Sequence, residues 1–383
     1  MKTFKKIIKE SFSELEDYRR AEGKRHPLIN LIMIAVCAVI GNAECEKDIY
    51  EYGKAKKKWL KTFLNLKSGI PSESTFKRFF SLINAEQLEK CFIEFTKNLP
   101  VIKTGDHIAI DGKTLRSSYD QAKNQSPIHM LSALVTKSGI TLAQVKTDDK
   151  SNEITVIPTL IDMINIEDTV VSLDAMGTQR AIAEKIIDEK GDYVLALKSN
   201  HPVFYDEVED FFQQCIKSNF QNTECKNKKT IDKGHGRIEE REYMICSADY
   251  QCISEKDKWK GIQSIICTTT KRHEILENQT STETRFFLSS LKMDAVEKIA
   301  AVIRSHWGIE NSLHYVLDVT FGEDGSRIRT GNAAENFSVL RRLALNVLRC
   351  NKSKGSIRTK RLRSCWNNDF MEELLIDFKK RMN

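Results

Sequence analysis

Between Asp106 and Asn200 the chain sets down short apolar runs, each followed by a turn signal or a helical pattern. "HIAIDGKTLR" reads as a short apolar strand ending in Asp111. "PIHMLSALVT" and "GITLAQVKT" read as two more, joined at Ser138-Gly139. "SNEITVIPTLIDMIN" reads as a helix despite Pro158. "TVVSLDAMG" is a wholly apolar strand closed by Asp174, "TQRAIAEKIIDEKG" a helix ended at Gly191, and "DYVLALKSN" another buried strand. Three strands in a meander, then helix, strand, helix and strand, predict an α/β core with parallel crossovers.

The flanks differ. Residues 1–100 read as all-helical, with "HPLINLIMIAVCAVIGN" as a buried helix and "EKDIYEYGKAKKKWLKTFLNL" as an amphipathic one. "GIPSESTFKRFF" starts a third at Pro71-Ser72. With the turn at Ser68-Gly69 this resembles a helix-turn-helix, which sets Glu73, Ser74, Lys77 and Arg78 outward for DNA. Residues 201–290 read as a mostly β insertion, and 351–383 as a basic tail.

Charge and cysteine usage narrow the function. The net charge is +7, and from Asn336 to Asn368 there are nine Lys or Arg and no acid. A second cluster holds Lys54, Lys56, Lys57, Lys58 and Lys61. Such runs suit a polyanion such as the DNA backbone, or a solvated face. Ten cysteines without a CxxC pair speak against a zinc site or a disulfide framework, and for the cytoplasm. No apolar run is long enough to span a membrane.

One acid stands out in "RSHWGIENSLHYVLD". At helical spacing Glu310 shares a face with Ile303, Trp307, His314 and Leu317, beside Leu313, and so is expected on a buried stripe. A carboxylate there needs a cationic partner, a basic side chain or a metal ion. Asp111 and Asp174, at the carboxyl ends of core strands, lie where open α/β sheets bind ligands. Three converging carboxylates call for a hard cation, Mg²⁺ or Mn²⁺, and two such ions about 4 Å apart activate an oxygen nucleophile toward a phosphodiester. Asp318, Glu323 and Asp324 are reserve candidates, and Glu153 reads as a capping group.

The ordered words "GIPSESTFKRFF", "IAIDGKTLRSSYD", "KSNEITVIPTLIDMI", "SLDAMGTQRAIAEKI", "DYVLALKSNH", "HGRIEEREY" and "HWGIENSLHYVLDVTFGEDGSRIRTGNAAENFSVLRRLALNVL" resemble the DDE transposases of bacterial insertion sequences, in the H-repeat-associated (ISAs-type) group. The resemblance implies an RNase H-like catalytic core at 101–350, preceded by a helical DNA-binding domain. It implies metal-dependent cleavage at the element's ends and strand transfer into target DNA, on double-stranded DNA carrying terminal inverted repeats, by a homodimer. Asp111, Asp174 and Glu310 take the catalytic and metal-binding positions. The Tyr, Arg and Lys that flank the glutamate in the broader group are Ile303, His306 and Leu317 here, which leaves Arg304, His306 and Trp307 as substitutes on the DNA. Further DNA contacts are expected from Lys113, Arg116, Lys198, Asn200, His235, Arg237, Lys77 and Arg78. Two other readings are a remnant that binds DNA without cutting it, and an RNase H-like nuclease without strand transfer.

Overall fold

The computed structural model describes residues 1–19, 24–97, 99, 102–119, 126–147, 153–234 and 236–380 of the 383. Six helices come first: α1 (Lys2–Ser11), α2 (Leu28–Ile40), α3 (Glu46–Ala55), α4 (Lys57–Leu60), α5 (Glu73–Leu82) and α6 (Ala85–Lys97). The strands β1 (His107–Leu115), β2 (Ile128–Val135) and β3 (Ile140–Thr147) follow. Then come α7 (Glu153–Met163), β4 (Val170–Leu173), α8 (Arg180–Asp188), β5 (Asp192–Leu197) and α9 (Pro202–Lys217). β6 (Cys225–Gly234), β7 (Arg237–Ser247), β8 (Ser264–Glu274) and β9 (Gln279–Ser289) lead to α10 (Val296–His306). The chain ends with α11 (Tyr315–Phe321), α12 (Ala333–Cys350), α13 (Ile357–Trp366) and α14 (Asn368–Lys380). Two compact units result. One comprises Met1–Ile102, Gly112–Asn152 and Ile309–Asn383; the other comprises Lys103–Asp111 and Glu153–Gly308.

In the first unit α2 is buried from Asn30 to Ile40, as a helix apolar all round must be. The expected single helix over 46–66 is broken at Lys56 into α3 and α4. A helix-turn-helix joins its helices by three or four residues. Here the stretch Lys61–Ser72 separates α4 from α5, so that expectation is not met. The start of α5 is as predicted, with Ser72 Oγ accepting from Thr75 N at 3.3 Å. β2 and β3 form the expected antiparallel hairpin, in the order β3-β2-β1. Its turn residue Gly139 has φ +71°, and an added Cβ would sit 3.0 Å from the Arg349 guanidinium.

The expected basic tail is helical, α13 and α14, and two of its basic residues face inward. Lys360 and Arg361 are buried with Arg341 and Arg342 of α12. Arg361 donates to the carbonyls of Thr320 and Val39, and Lys360 to that of Asn351 at 2.6 Å. These four residues therefore cap backbone carbonyls and pair with acids inside the protein, in place of the phosphate contacts expected of the run.

The second unit carries a sheet in the order β1-β4-β5-β9-β8-β7-β6. β1, β4 and β5 are parallel, the pairing expected of an RNase H-like core. The 201–290 segment opens with a helix that was not expected, α9, whose Phe204, Val208, Phe211, Phe212 and Cys215 are buried at helical spacing. Its strands extend the same sheet, because β9 pairs antiparallel with β5 through Val194↔Ser289.

A buried ion network ties α11 to α12 in the first unit. α11 ends at Gly322 (φ +63°), where an added Cβ would meet the Glu44 carboxylate at 3.1 Å. The next residue, Glu323, turns inward. Its carboxylate lies 3.1 Å from Arg342, 3.8 Å from Arg341 and 3.8 Å from Lys113. Burial alone would raise its pKa, but the three cations, Arg342 foremost, hold it below the ordinary value of 4.5. Removing one partner of a buried pair leaves the others uncompensated. Glu323→Gln is therefore expected to cost about 3–5 kcal/mol, read as a lower urea midpoint. The carboxylate's contribution is present above pH 4.5 and is lost as pH falls through its depressed folded value. The variant should flatten that acid limb, and an unchanged limb would show that Glu323 does not carry it.

Candidate active-site residues

Asp111 and Asp174 are aligned by strand register. β1 pairs parallel with β4 through His107↔Val170, Ile108↔Val171 and Ala109↔Ser172. Counted two residues past the last of these pairs, and one past the end of β4, the same offset numbers Asp111 against Asp174. Neighbouring strands lie about 4.8 Å apart and equivalent positions face the same side. Both residues are half-buried; Asp174 directly follows β4, whereas Asp111 does not end its strand as expected but lies in the middle of β1. Like charges so placed repel, and a hard cation relieves the repulsion, so this oxygen donor set fits Mg²⁺ or Mn²⁺.

The loop after Asp174 is tied down on all sides. Asp174 Oδ1 accepts from Gly177 N at 3.0 Å. The buried Thr178 has its hydroxyl 2.7 Å from the Ala196 carbonyl and 3.0 Å from that of Asp174. Asn200 Nδ2 donates to Ala175 O, and His201 Nε2 to Thr178 O, each at 2.7 Å. Asn200, expected on DNA, thus supports the Asp174 loop, while Lys198 beside it is exposed. Thr178 and His201 were not singled out in the sequence. Their signal is only their place, just beyond strands that point at the acids.

Glu310 is not on a buried stripe. α10 ends at His306, and Glu310–His314 form a π-helical turn, whose wider winding shifts the phase of every later residue. Buried positions then fall at steps of four, on Ile309, Leu313, Leu317 and Phe321. Trp307 is 50% exposed and the Glu310 side chain 54% exposed. The buried member of the expected set that touches Glu310 is His314, whose Nδ1 is 3.3 Å from Glu310 Oε2.

The other expected DNA ligands divide by burial. Lys113 is buried, 2.6 Å from Asp318 and 2.6 Å from Asp324. It neutralises the reserve acids. Of the two aspartates, burial raises the pKa of Asp318, whereas at Asp324 the hydrogen bond and charge of Lys113 overcome burial and lower it. Glu153 is buried at the start of α7, as a capping position would be. Arg116 is exposed, 3.5 Å from Asp324. Lys77 and Arg78 are exposed on α5. Arg237 lies 3.0 Å from Glu239, and Arg304 lies 3.2 Å from Asp232. The Arg285 guanidinium sits 4.9 Å over the Trp307 ring. His235 lies outside the described residues. His306 hydrogen-bonds inward to Ser172 at 2.7 Å, a contact with no signal in the sequence.

Comparison with known proteins adds the family. Residues 102–347 match the family described as Transposase DDE domain, and residues 9–96 match the family described as DDE_Tnp_1-associated. Among curated relatives, the Putative transposase YncI of Escherichia coli O157:H7 is 38% identical over 95% of this chain and 93% of its own. The H repeat-associated putative transposase YhhI of Escherichia coli K12 is 36% identical over 97% of this chain and 98% of its own. A solved piggyBac transposase synaptic complex with hairpin DNA aligns with 99% of this chain and 79% of its own, at 11% identity and a TM-score of 0.46.

Because the Thr178 hydroxyl serves two carbonyls, Thr178→Val is expected to cost about 1–3 kcal/mol. It should appear as a lower urea midpoint at constant slope. An unchanged midpoint would mean that the hydroxyl does not hold the loop.

Proposed function

The chain belongs to the Transposase DDE domain family and is a DNA transposase; from that premise we propose that Asp111, Asp174 and Glu310 together hold divalent metal ions and cut phosphodiester bonds at the ends of the element that encodes it. The observation that supports this reading is the parallel β1–β4 register, whose offset counts Asp111 to Asp174. Magnesium or manganese bound by these oxygens would activate a water or 3′-hydroxyl and stabilise the leaving oxygen. The chain's own part is positional. The Asp174 loop is fixed by Thr178, Asn200 and His201, so its carboxylate is presented with little reorganisation. Glu310, with its side chain 54% exposed and 3.3 Å from His314, is the most accessible of the three acids.

The substrate in this reading is double-stranded DNA with short inverted repeats at the element's ends, joined afterwards to target DNA by a homodimer. Arg116, Lys198, Arg304, Lys77 and Arg78 are exposed and suited to phosphate contact that is independent of sequence. Among the described residues no helix is long and apolar enough to cross a membrane.

The test places the gene's flanking DNA on a supercoiled plasmid, with full-length protein and Mg²⁺ or Mn²⁺, and maps breaks at base resolution. Asp111→Asn, Asp174→Asn and Glu310→Gln should each lower metal-dependent breakage by at least about a hundredfold, and joined products should accompany the breaks. Breaks without joined products would make the protein a nuclease, and binding without breaks a remnant. Breaks that persist in Glu310→Gln would move the third acid elsewhere.

A further inference from the structure

At one edge of the second unit's sheet two cysteines stand opposite each other. β6 ends the strand order, and it pairs antiparallel with β7 in a register that runs from Cys225↔Cys246 to Gly234↔Arg237. Residues directly opposite on antiparallel strands turn their side chains to the same face. Their Cα atoms lie about 4.5 or 5.5 Å apart, according to whether the pair is hydrogen-bonded. Either spacing falls inside the span of about 4.4–6.8 Å that a disulfide bridges. The two sulfurs can therefore be joined without moving the backbone. Two other thiols are near. Cys267 of β8 stands opposite Met244, two residues before Cys246, and Cys215 lies on α9. Neither is in register with Cys225.

The pair is asymmetric. Cys225 is half-buried, and Cys246 is fully buried. The Cys225 S–H points at Asn227 Oδ1, 3.1 Å away, and the Cys246 S–H is given to the Cys225 sulfur. That hydrogen bond lowers the pKa of Cys225 below the ordinary value of 9.0. The same bond, with burial behind it, raises that of Cys246. The thiolate is the nucleophile of thiol chemistry. The sulfur within reach of solvent is thus the one more ready to ionise, and the sheltered sulfur keeps its proton until a disulfide stands beside it. An attacking thiol and a resolving thiol divide their work in this way.

We propose that Cys225 and Cys246 form a reversible dithiol–disulfide site, oxidised by small-molecule disulfides of the glutathione type, and that the bond fastens β6 to β7. The Cys225 thiolate attacks one sulfur of the small disulfide, forming a mixed disulfide and expelling one small thiolate. Cys246 then gives up its proton and attacks the Cys225 sulfur, which forms the Cys225–Cys246 bond and expels the second small thiolate. The two expelled thiolates take up the two protons that the cysteines release. Two protein thiols are oxidised to one disulfide, and one small disulfide is reduced to two thiols. Excess small thiol runs the same steps backward, so a reducing solution keeps the pair open. The bond closes the hairpin at the end away from its turn. β6 also carries Lys228 and Asp232, which pair with Glu297 and Arg304 of α10, so fastening β6 braces that contact.

Full-length protein is equilibrated with oxidised and reduced glutathione at a series of ratios and quenched with acid. Its free thiols are alkylated before digestion with trypsin. Cleavage sets Cys225 in the peptide 218–226 and Cys246 in the peptide 242–256, which also holds Cys252, so Cys252→Ser serves as the background. The expected result is a link between these two peptides that rises with the oxidised fraction and is lost in excess dithiothreitol. Cys246→Ala should retain one glutathione on Cys225, and Cys225→Ser should leave Cys246 unmodified, each in protein shown to be folded by circular dichroism. If either variant does not fold, the link in the Cys252→Ser background decides the site. No link at any ratio, or a link from Cys225 to Cys215 or Cys267 instead, would overturn the proposal. Glutathione retained on Cys246 in Cys225→Ser would overturn the order of attack. In the oxidised protein the backbone amides of 226–234 should exchange with deuterium more slowly than in the reduced protein. Equal exchange in a sample shown to be linked would overturn the fastening of β6.

Discussion

Glu323 and Arg342, both fully buried side chains 3.1 Å apart, are the interaction around which the first unit is organised. Arg342 belongs to the long central helix α12, buried along most of its length, and Glu323 follows the left-handed turn that ends α11. Charges so deep are tolerated only in company, and here Arg341 and Lys113 supply it. The consequence reaches the sequence just after Asp111. Lys113, two residues on, is drawn into the network by Asp318, Glu323 and Asp324. The strand that carries a proposed metal ligand is thus continuous with a strand end fastened by ion pairs.

The second unit holds its chemistry by different means. Its acids are placed by backbone hydrogen bonds between parallel strands and by side-chain bonds to loop carbonyls. Thr178, Asn200, His201, His107 and Ser172 all act at 2.6–2.7 Å on neighbours of the acids. Supports that bond to loop carbonyls suit that place, because a cation bonded to Asp174 itself would compete with a metal for the same oxygens.

The core strands were legible because each is an apolar run stopped by an acid or a turn residue, and burial on both faces leaves no other reading for "TVVSLDAMG". The parallel pairing followed from the intervening helices. Glu310 was misplaced for a specific reason. A periodicity of 3.6 was carried across the end of α10 at His306 and the turn at Trp307, so that Trp307 and Glu310 both fall on the exposed side before the π-helical turn begins. α9 was legible in principle, since Phe204, Val208, Phe211 and Cys215 keep helical spacing, but the β-rich words after it dominated the reading. The basic run from Asn336 to Asn368 misled because the partners of Arg341 and Arg342 come from near Phe321, and those of Arg361 from as far as Val39. Sequence shows that a charge is present, and only tertiary contacts decide which way it faces.

The alignment of Asp111 with Asp174 rests on counting residues within β1 and β4, and so it constrains how such a chain can drift. A one-residue insertion or deletion inside either strand would turn its acid to the opposite face. Outside β2, β3 and α7, the connection between the two strands carries no such count, and there it can lengthen or shorten at little cost to the pairing. Among descendants of this gene, length changes between Leu115 and Val170 should therefore collect outside those three elements, while the few residues on either side of each aspartate keep their spacing however far their identities wander.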